Sequence, residues 1–104
     1  MDFYSLRLLD WRRTLDIQQL SSTAHALVAS GKGILAADES SGTIKKRLDS
    51  VNVESTEQSR RDYREMLFRT EGVAQYISGI ILYDETIRQR GADGTLLVKV
   101  LTDQ

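Results

Sequence analysis

The sequence predicts an α/β fold in which buried parallel strands alternate with helices. Two apolar runs, residues 34–37 and 76–83, lack polar alternation and are typical of strands covered on both faces. Two acidic residues follow each run, and segments with helical spacing precede, separate and follow the runs. Such an order favours right-handed βαβ crossovers and a parallel sheet. Because two strands alone make a poor sheet, the pattern also indicates that further strands are missing.

The first helix and the first strand follow one another closely. Apolar residues recur at helical spacing from Ile17 to Val28, and Gly31 then suits the left-handed position that ends a helix. Gly33 opens the first apolar run, which ends at Asp38. We therefore expect a short turn between an amphipathic helix and a buried strand.

A second, shorter helix is predicted directly after the first strand. Ser40 and Ser41 are good N-cap residues, and Ile44 and Leu48 lie one helical turn apart. This spacing predicts that the two apolar side chains are buried.

A third helix is predicted from about Ser55, because Ser55 and Gln58 have the spacing of a capping box. Its buried side is expected to contain three apolar or aromatic residues, Tyr63, Met66 and Leu67. Three arginines alternate with acids along the same helix: Arg60, Arg61 and Arg64. This alternation favours a solvated, salt-bridged face over a nucleic-acid patch.

The second strand is rich in β-branched and aromatic residues and ends before Asp84 and Glu85. Residues 91–94 contain two glycines and predict a turn. Residues 95–101 carry several apolar side chains, Leu96, Leu97, Val100 and Leu101 among them, and predict a last, weak helix.

Composition excludes several classes of protein. The 104 residues suffice for one domain but not for two. The lack of cysteine excludes disulfides and thiolate metal sites and fits the cytoplasm, and a single histidine cannot form a multi-histidine metal centre. Fourteen basic and fifteen acidic side chains give no overall attraction for nucleic acid or anionic membrane. No apolar run approaches the ~20 residues of a membrane span.

The acids that follow the first strand are candidates for catalysis. In βαβ proteins ligands bind beyond the carboxyl ends of the strands, where Asp38 and Glu39 fall. Asp38 is a candidate general acid or base. The alternative is that Asp38 caps the next helix while Glu39 is solvated, and the spacing alone favours this alternative.

The helix that follows carries a candidate anion site. Thr43, Lys46 and Arg47 lie at positions i, i+3 and i+4, so one helical face presents a hydroxyl and two cations. A helix N-terminus attracts phosphate through its N–H groups and its dipole. The same spacing also fits a solvated basic face, and composition favours neither interpretation.

Longer segments resemble a known family. GKGILAADESSGTIKKRL (residues 31–48) closely resembles the signature around the first barrel strand of class I fructose-bisphosphate aldolases. VNVESTEQSRRDYREMLFRTEG (residues 51–72) resembles the helical stretch that follows, and YISGIILYDETIRQ with the later ADGT resembles the second strand and its turn. The resemblance covers residues 15–94 and more loosely the rest. Residues 1–14 do not resemble the family and are expected to be a divergent N-terminal leader or a wrongly assigned start.

The resemblance implies a (β/α)₈ barrel of which residues 15–104 form only the first part. It implies the reversible cleavage of fructose 1,6-bisphosphate to dihydroxyacetone phosphate and glyceraldehyde 3-phosphate, in glycolysis and gluconeogenesis, by a carbon–carbon lyase. The reaction proceeds through a lysine Schiff base without a metal or other cofactor. Relatives are cytoplasmic and usually homotetrameric, with a sugar phosphate as substrate and no nucleic-acid or membrane partner.

Five residues match functional positions of the family. Asp38 matches an aspartate that takes part in proton transfer and orients the substrate hydroxyls. Ser40 and Thr43 match positions that bind a substrate phosphate, with threonine where many relatives have serine. Lys46 and Arg47 match basic residues at the phosphate-binding rim. The helical spacing and the resemblance thus select the same three side chains on the second helix, Thr43, Lys46 and Arg47.

The Schiff-base lysine is absent from this sequence. None of its lysines, at positions 32, 45, 46 and 99, occupies the family's Schiff-base motif. We therefore expect the 104 residues alone to be inactive and unable to close a barrel, which needs about 200 residues. The alternatives are an inactive truncated fragment and a module that binds phosphate or another protein.

Overall fold

The structure, a computed structural model, describes residues 16–104, so the predicted leader at residues 1–14 lies outside the described part. Residues 16–104 form six helices and two strands in an α/β arrangement. In chain order these are α1 (Ile17–Leu27), β1 (Gly33–Ala37), α2 (Ser41–Asp49), α3 (Glu57–Phe68), α4 (Val73–Tyr76), β2 (Ile77–Leu82), α5 (Asp84–Arg88) and α6 (Leu97–Thr102).

The two strands pair in parallel, as the sequence predicts. Ala37 lies opposite Leu82, so both strands end at the same edge of the sheet. Because parallel strands need a crossover connection, α2 and α3 lie between them in the chain. This geometry brings the residues after β1 next to the residues after β2.

The prediction that both faces of the sheet are buried is wrong for this chain. One face packs against α3 and α6 around Ala37, Phe68 and Leu97, which are fully buried. The opposite face leaves Ile34 48% and Ile81 49% exposed. Alternate residues of a strand point to opposite faces. Within residues 16–104, helices α3 and α6 thus cover one side of the sheet, and the second side is uncovered except where the end of α1 contacts Gly79.

Helix α1 contacts the sheet through its last residue. The hydroxyl of Ser78 donates a hydrogen bond to the carbonyl of Leu27, and the Leu27 side chain lies directly over Gly79. Gly31 has a φ of 77°, which confirms the predicted left-handed residue after this helix. Lys32 Nζ donates to the Ala74 carbonyl at 2.9 Å and ties the same loop to α4.

Helix α3 begins one residue later than predicted. Thr56 is the N-cap, and its capping box is formed with Ser59 rather than by Ser55 with Gln58. Ser59 N donates to Thr56 Oγ1 at 3.0 Å and Thr56 N donates to Ser59 Oγ at 2.8 Å. A capping box needs a side-chain acceptor at the third helical position, which is usually glutamate or glutamine. Here the hydroxyl of Ser59 is that acceptor.

The buried side of α3 also differs from the prediction. Phe68 and Arg64 are fully buried, whereas Met66 is 57% exposed and Tyr63 and Leu67 are half-buried. The helix is therefore rotated so that the positions of Arg64 and Phe68, one turn apart, face inward. Periodicity alone assigns this face to the apolar residues and misses an inward cation.

The predicted turn at residues 91–94 is held by the carboxylate of Glu65. Ala92 N donates to Glu65 Oε1 at 3.0 Å, and Arg69 Nε donates to Glu65 Oε2 at 3.0 Å. Gly91 is buried against the same carboxylate. The predicted last helix follows this turn as α6. Among residues 16–104, no helix has both the length and the apolar character to cross a membrane.

Candidate functional site at the carboxyl ends of the strands

Helix α2 presents the predicted anion-binding face to solvent. Ile44 and Leu48 are buried, which confirms the predicted rotation of the helix. The hydroxyls of Ser40 and Thr43 lie 3.3 Å apart at its N-terminus. Ser40 is the N-cap, but its side chain makes no capping hydrogen bond. The first N–H groups of the helix therefore face outward beside two hydroxyls.

Two exposed cations, Lys46 and Arg47, lie one turn after Thr43 on this helix. Neither forms an ion pair with a carboxylate of residues 16–104, whereas the neighbouring Lys45 is paired with Asp49 at 2.6 Å. Both cations lie in the last turn of this nine-residue helix. The N–H groups at the uncapped N-terminus and the two cations one turn beyond Thr43 therefore place positive charge along one side of α2. Such a combination suits a phosphate group.

Asp38 lies at the end of β1 with its side chain exposed. The alternative that Asp38 caps α2 while Glu39 is solvated is wrong in both parts, because Ser40 occupies the N-cap position and Glu39 is half-buried with Oε2 enclosed. Within residues 16–104 the Asp38 carboxylate makes no hydrogen bond or ion pair. The register of the sheet brings Asp38 beside Tyr83, the first residue after β2. Asp38 is thus a free carboxylate two residues before the hydroxyl pair.

The acids that follow β2 are engaged in ion pairs. Arg60 donates two hydrogen bonds to Glu85, at 2.8 and 3.0 Å, and these lower the pKa of the Glu85 carboxyl. Arg88 donates to both carboxylate oxygens of Asp84, at 2.6 and 2.9 Å, and lowers the pKa of Asp84. Both acids stay ionised and have cationic partners, so Asp38 is the better placed carboxylate for a ligand.

The three arginines of α3 do not share one environment, which corrects the prediction of a common solvated face. Arg61 pairs with Asp62 at 2.6 Å, in agreement with that prediction. Arg60 is only 17% exposed and reaches Glu85. Arg64 is fully buried and donates to the Glu39 carbonyl at 2.7 Å. No local pattern signals the burial of Arg64, because its partner lies 25 residues earlier in the chain.

The comparisons with known proteins show the family of this chain. A family model described as "Fructose-bisphosphate aldolase class-I" matches residues 19–104. The chain belongs to the class I fructose-bisphosphate aldolase family. Fructose-bisphosphate aldolase 1 of Toxoplasma gondii is 54% identical over 84 residues, which are 81% of this chain and 23% of that protein. For "Fructose-bisphosphate aldolase 4, cytosolic" of Arabidopsis thaliana, identity is 50% over 101 residues, or 94% of this chain and 26% of that protein.

A solved aldolase structure has the same fold over most of this chain. Fructose-bisphosphate aldolase from Plasmodium falciparum, in a ternary co-crystal structure with TRAP and a small-molecule inhibitor, superposes with a TM-score of 0.80 at 48% identity. The match covers 83% of this chain and 25% of that one. The chain therefore spans about a quarter of the length of the curated relatives that it matches.

The four lysines of this chain are all exposed. Three have their amines in hydrogen bonds: Lys32 with the Ala74 carbonyl, Lys45 with Asp49, and Lys99 with Asp103. A nucleophilic lysine needs an amine that is desolvated or held among other cations. The arrangement can thus bind an anion, but it contains no amine prepared for covalent chemistry among residues 16–104.

Proposed function

We propose that residues 15–104 form the first part of a (β/α)₈ aldolase barrel, with β1 and β2 as its first two strands. The uncovered face of the sheet, with half-exposed Ile34 and Ile81, supports this proposal. In such barrels helices cover the outside, and side chains from other strands fill the inside. Residues of this face would then pack against the remaining strands of the barrel.

We propose that Ser40, Thr43, Lys46 and Arg47 bind a phosphate group of a sugar-phosphate substrate. The observation that carries this proposal is the hydroxyl pair, 3.3 Å apart, at an uncapped helix N-terminus. Two cations without ion-pair partners among residues 16–104 follow one turn later and would add charge-assisted hydrogen bonds. The site is open to solvent, so a phosphate can enter without a rearrangement of the fold.

We propose that Asp38 orients the substrate hydroxyls and takes part in proton transfer. Its exposed carboxylate lies at the strand edge where ligands of α/β barrels bind, and it has no competing partner among residues 16–104. The aldolase that contains this segment would cleave fructose 1,6-bisphosphate reversibly to dihydroxyacetone phosphate and glyceraldehyde 3-phosphate. The Schiff-base amine would come from outside these 104 residues, because none of the four lysines is desolvated.

A titration of the chain with inorganic phosphate, followed by ¹H–¹⁵N NMR, tests the binding proposal. We expect saturable shifts of the Ser40 and Thr43 amides. Lys46→Ala and Arg47→Ala should each weaken binding about tenfold, as the loss of a charge-assisted hydrogen bond does. Lys45→Ala is the matched control, because Lys45 is already paired with Asp49 and should have little influence. Shifts that never saturate, or equal effects of all three variants, would contradict the proposal.

A second candidate function is phosphate binding without catalysis by this chain. The hydrogen-bonded, exposed lysines favour it over covalent catalysis by the 104 residues alone. Incubation with dihydroxyacetone phosphate and borohydride, followed by intact-mass measurement, distinguishes the two. We expect no reduced adduct, and a stable adduct would show that one of these lysines acts as the nucleophile.

A further inference from the structure

Arg64 is a fully buried cation beneath the candidate site. Its Nη2 donates to the carbonyl oxygen of Glu39 at 2.7 Å, and its guanidinium carbon lies 5.6 Å from the centre of the Tyr83 ring. Glu39 follows β1 by two residues and Tyr83 follows β2 by one. One side chain from α3 therefore contacts the segments that leave both strands.

The contact with Glu39 falls inside the candidate site. Glu39 stands between Asp38 and Ser40, so its carbonyl belongs to the peptide unit that continues into Ser40. A hydrogen bond to that oxygen restrains the backbone between the carboxylate and the first hydroxyl. Arg64 contacts this backbone from the buried side, whereas the side chains of Asp38 and Ser40 are exposed on the solvent side.

Packing does not by itself explain an arginine at this position. Arg64 Nε and Nη1 are buried without a hydrogen-bond partner among residues 16–104. A buried cation with unsatisfied donors costs stability, and an apolar residue of similar volume is often neutral or better. Phe68, one turn later on the same face of α3, shows that this face accommodates an apolar side chain. Arg64 adds the hydrogen bond to Glu39, the contact with the Tyr83 ring and an attraction for the Glu85 carboxylate, whose pKa Arg60 lowers most and Arg64 lowers further. Of these, only the hydrogen bond reaches the backbone between Asp38 and Ser40.

We infer that Arg64 is a positioning residue that sets the geometry of Asp38 and Ser40 for the phosphate-bearing ligand. This inference rests on the proposed phosphate site on α2. Arg64 acts through the Glu39 carbonyl and does not contact the ligand. The ring of Tyr83 lies against the guanidinium and helps to hold it beneath the two strand ends.

Two readouts test this inference in the full chain. The first is the ¹³C shift of the Glu39 carbonyl without ligand, which reports the hydrogen bond directly. The second is the affinity for inorganic phosphate, followed at the Thr43 amide. We expect Arg64→Met to move the Glu39 shift upfield and to weaken phosphate binding about tenfold. Arg64→Lys keeps the charge but loses the planar guanidinium, so its Glu39 shift and its phosphate affinity should lie between those of the wild type and Arg64→Met.

Phe68→Leu is the matched control, since Phe68 is equally buried on the same helix face. It should lower the melting temperature while the Glu39 shift and the phosphate affinity stay unchanged. If Phe68→Leu and Arg64→Met change both readouts alike, Arg64 is only a packing residue and the inference is wrong.

A measurement on the wild-type chain decides the matter if the Arg64 variants do not fold. The Arg64 Nε–H resonance should shift on phosphate addition with the same saturation curve as the Thr43 amide. An unchanged Arg64 resonance during saturation of Thr43 would overturn the inference. If Thr43 itself never responds, the proposed phosphate site fails. The contact between Arg64 and Glu39 is then tested by the ligand-free Glu39 shift or, without folded variants, by slow exchange of the Arg64 Nη2 protons, which donate to the Glu39 carbonyl.

Discussion

Gly79 lies so close to Leu27 that a β-carbon at position 79 would be 2.3 Å from Leu27 Cδ2. The contact joins the C-terminal end of α1 to the middle of β2. With the hydrogen bond from Ser78 to the Leu27 carbonyl, it fixes α1 against the otherwise uncovered face of the sheet.

Gly79→Ala should therefore lower the free energy of unfolding by about 1 kcal/mol or more, because the added methyl group displaces Leu27. Gly33→Ala in β1 is the matched control. Nothing lies within 4 Å of a β-carbon at position 33, so this change should be neutral or stabilise the chain by about 0.5 kcal/mol. Urea unfolding of both variants measures the difference. Equal stabilities of the two variants would show that α1 is not held by this contact.

The ion pair between Arg60 and Glu85 predicts a dependence of stability on pH. The two hydrogen bonds from Arg60 hold the pKa of Glu85 below its ordinary value of 4.5. A lowered carboxyl pKa in the folded state stabilises the fold above the unfolded pKa. This contribution is lost as the pH falls through the folded pKa.

Glu85→Gln should therefore lower the free energy of unfolding at neutral pH by about 1 kcal/mol, and the difference from wild type should shrink below about pH 4. Urea unfolding of both proteins across this pH range measures it. Asp84→Asn is the control, because its pair with Arg88 is largely exposed and should matter little. A difference that stays constant down to about pH 3 would contradict the assigned role of Glu85.

The turn after α5 is predicted to depend on Glu65. Gly91→Ala would place a β-carbon 1.9 Å from Glu65 Oε2, so it should cost about 1 to 3 kcal/mol of stability. Glu65→Ala removes the hydrogen bond from Ala92 N and should also destabilise the chain. In the Glu65→Ala background the Gly91→Ala change should cost much less stability, because the carboxylate that the new β-carbon would overlap is absent. Additive costs in this double-mutant cycle, measured by thermal unfolding, would show that the two sites are independent.

The start of α3 is predicted to depend on Thr56. Thr56→Ala removes the acceptor for Ser59 N and should lower the free energy of unfolding by about 1 kcal/mol. Gln58→Ala tests the capping box that the sequence pattern favours and should have a smaller effect, because Gln58 does not take part in the observed box. Urea unfolding measures both effects. A larger loss of stability for Gln58→Ala than for Thr56→Ala would support the capping box of Ser55 and Gln58 instead.

Much of the fold follows from local spacing. The apolar runs, the glycine after α1 and the buried pair Ile44 and Leu48 were all predictable, because each depends on residues within one or two turns. The candidate phosphate face was predictable for the same reason, since helical spacing alone brings Thr43, Lys46 and Arg47 to one side. The sequence motifs identified the family, which the match over residues 19–104 confirms.

The sequence by itself determined the order of the elements, the parallel pairing and the face of α2 that carries hydroxyls and cations. Only the tertiary structure decided that Arg64 is buried beneath Glu39 while Arg61 is paired at the surface, and that one face of the sheet is left uncovered. The physical reason is that local periodicity sets which side of an element is apolar. The partner of a buried charge and the layer that covers a strand come from residues far away in the chain.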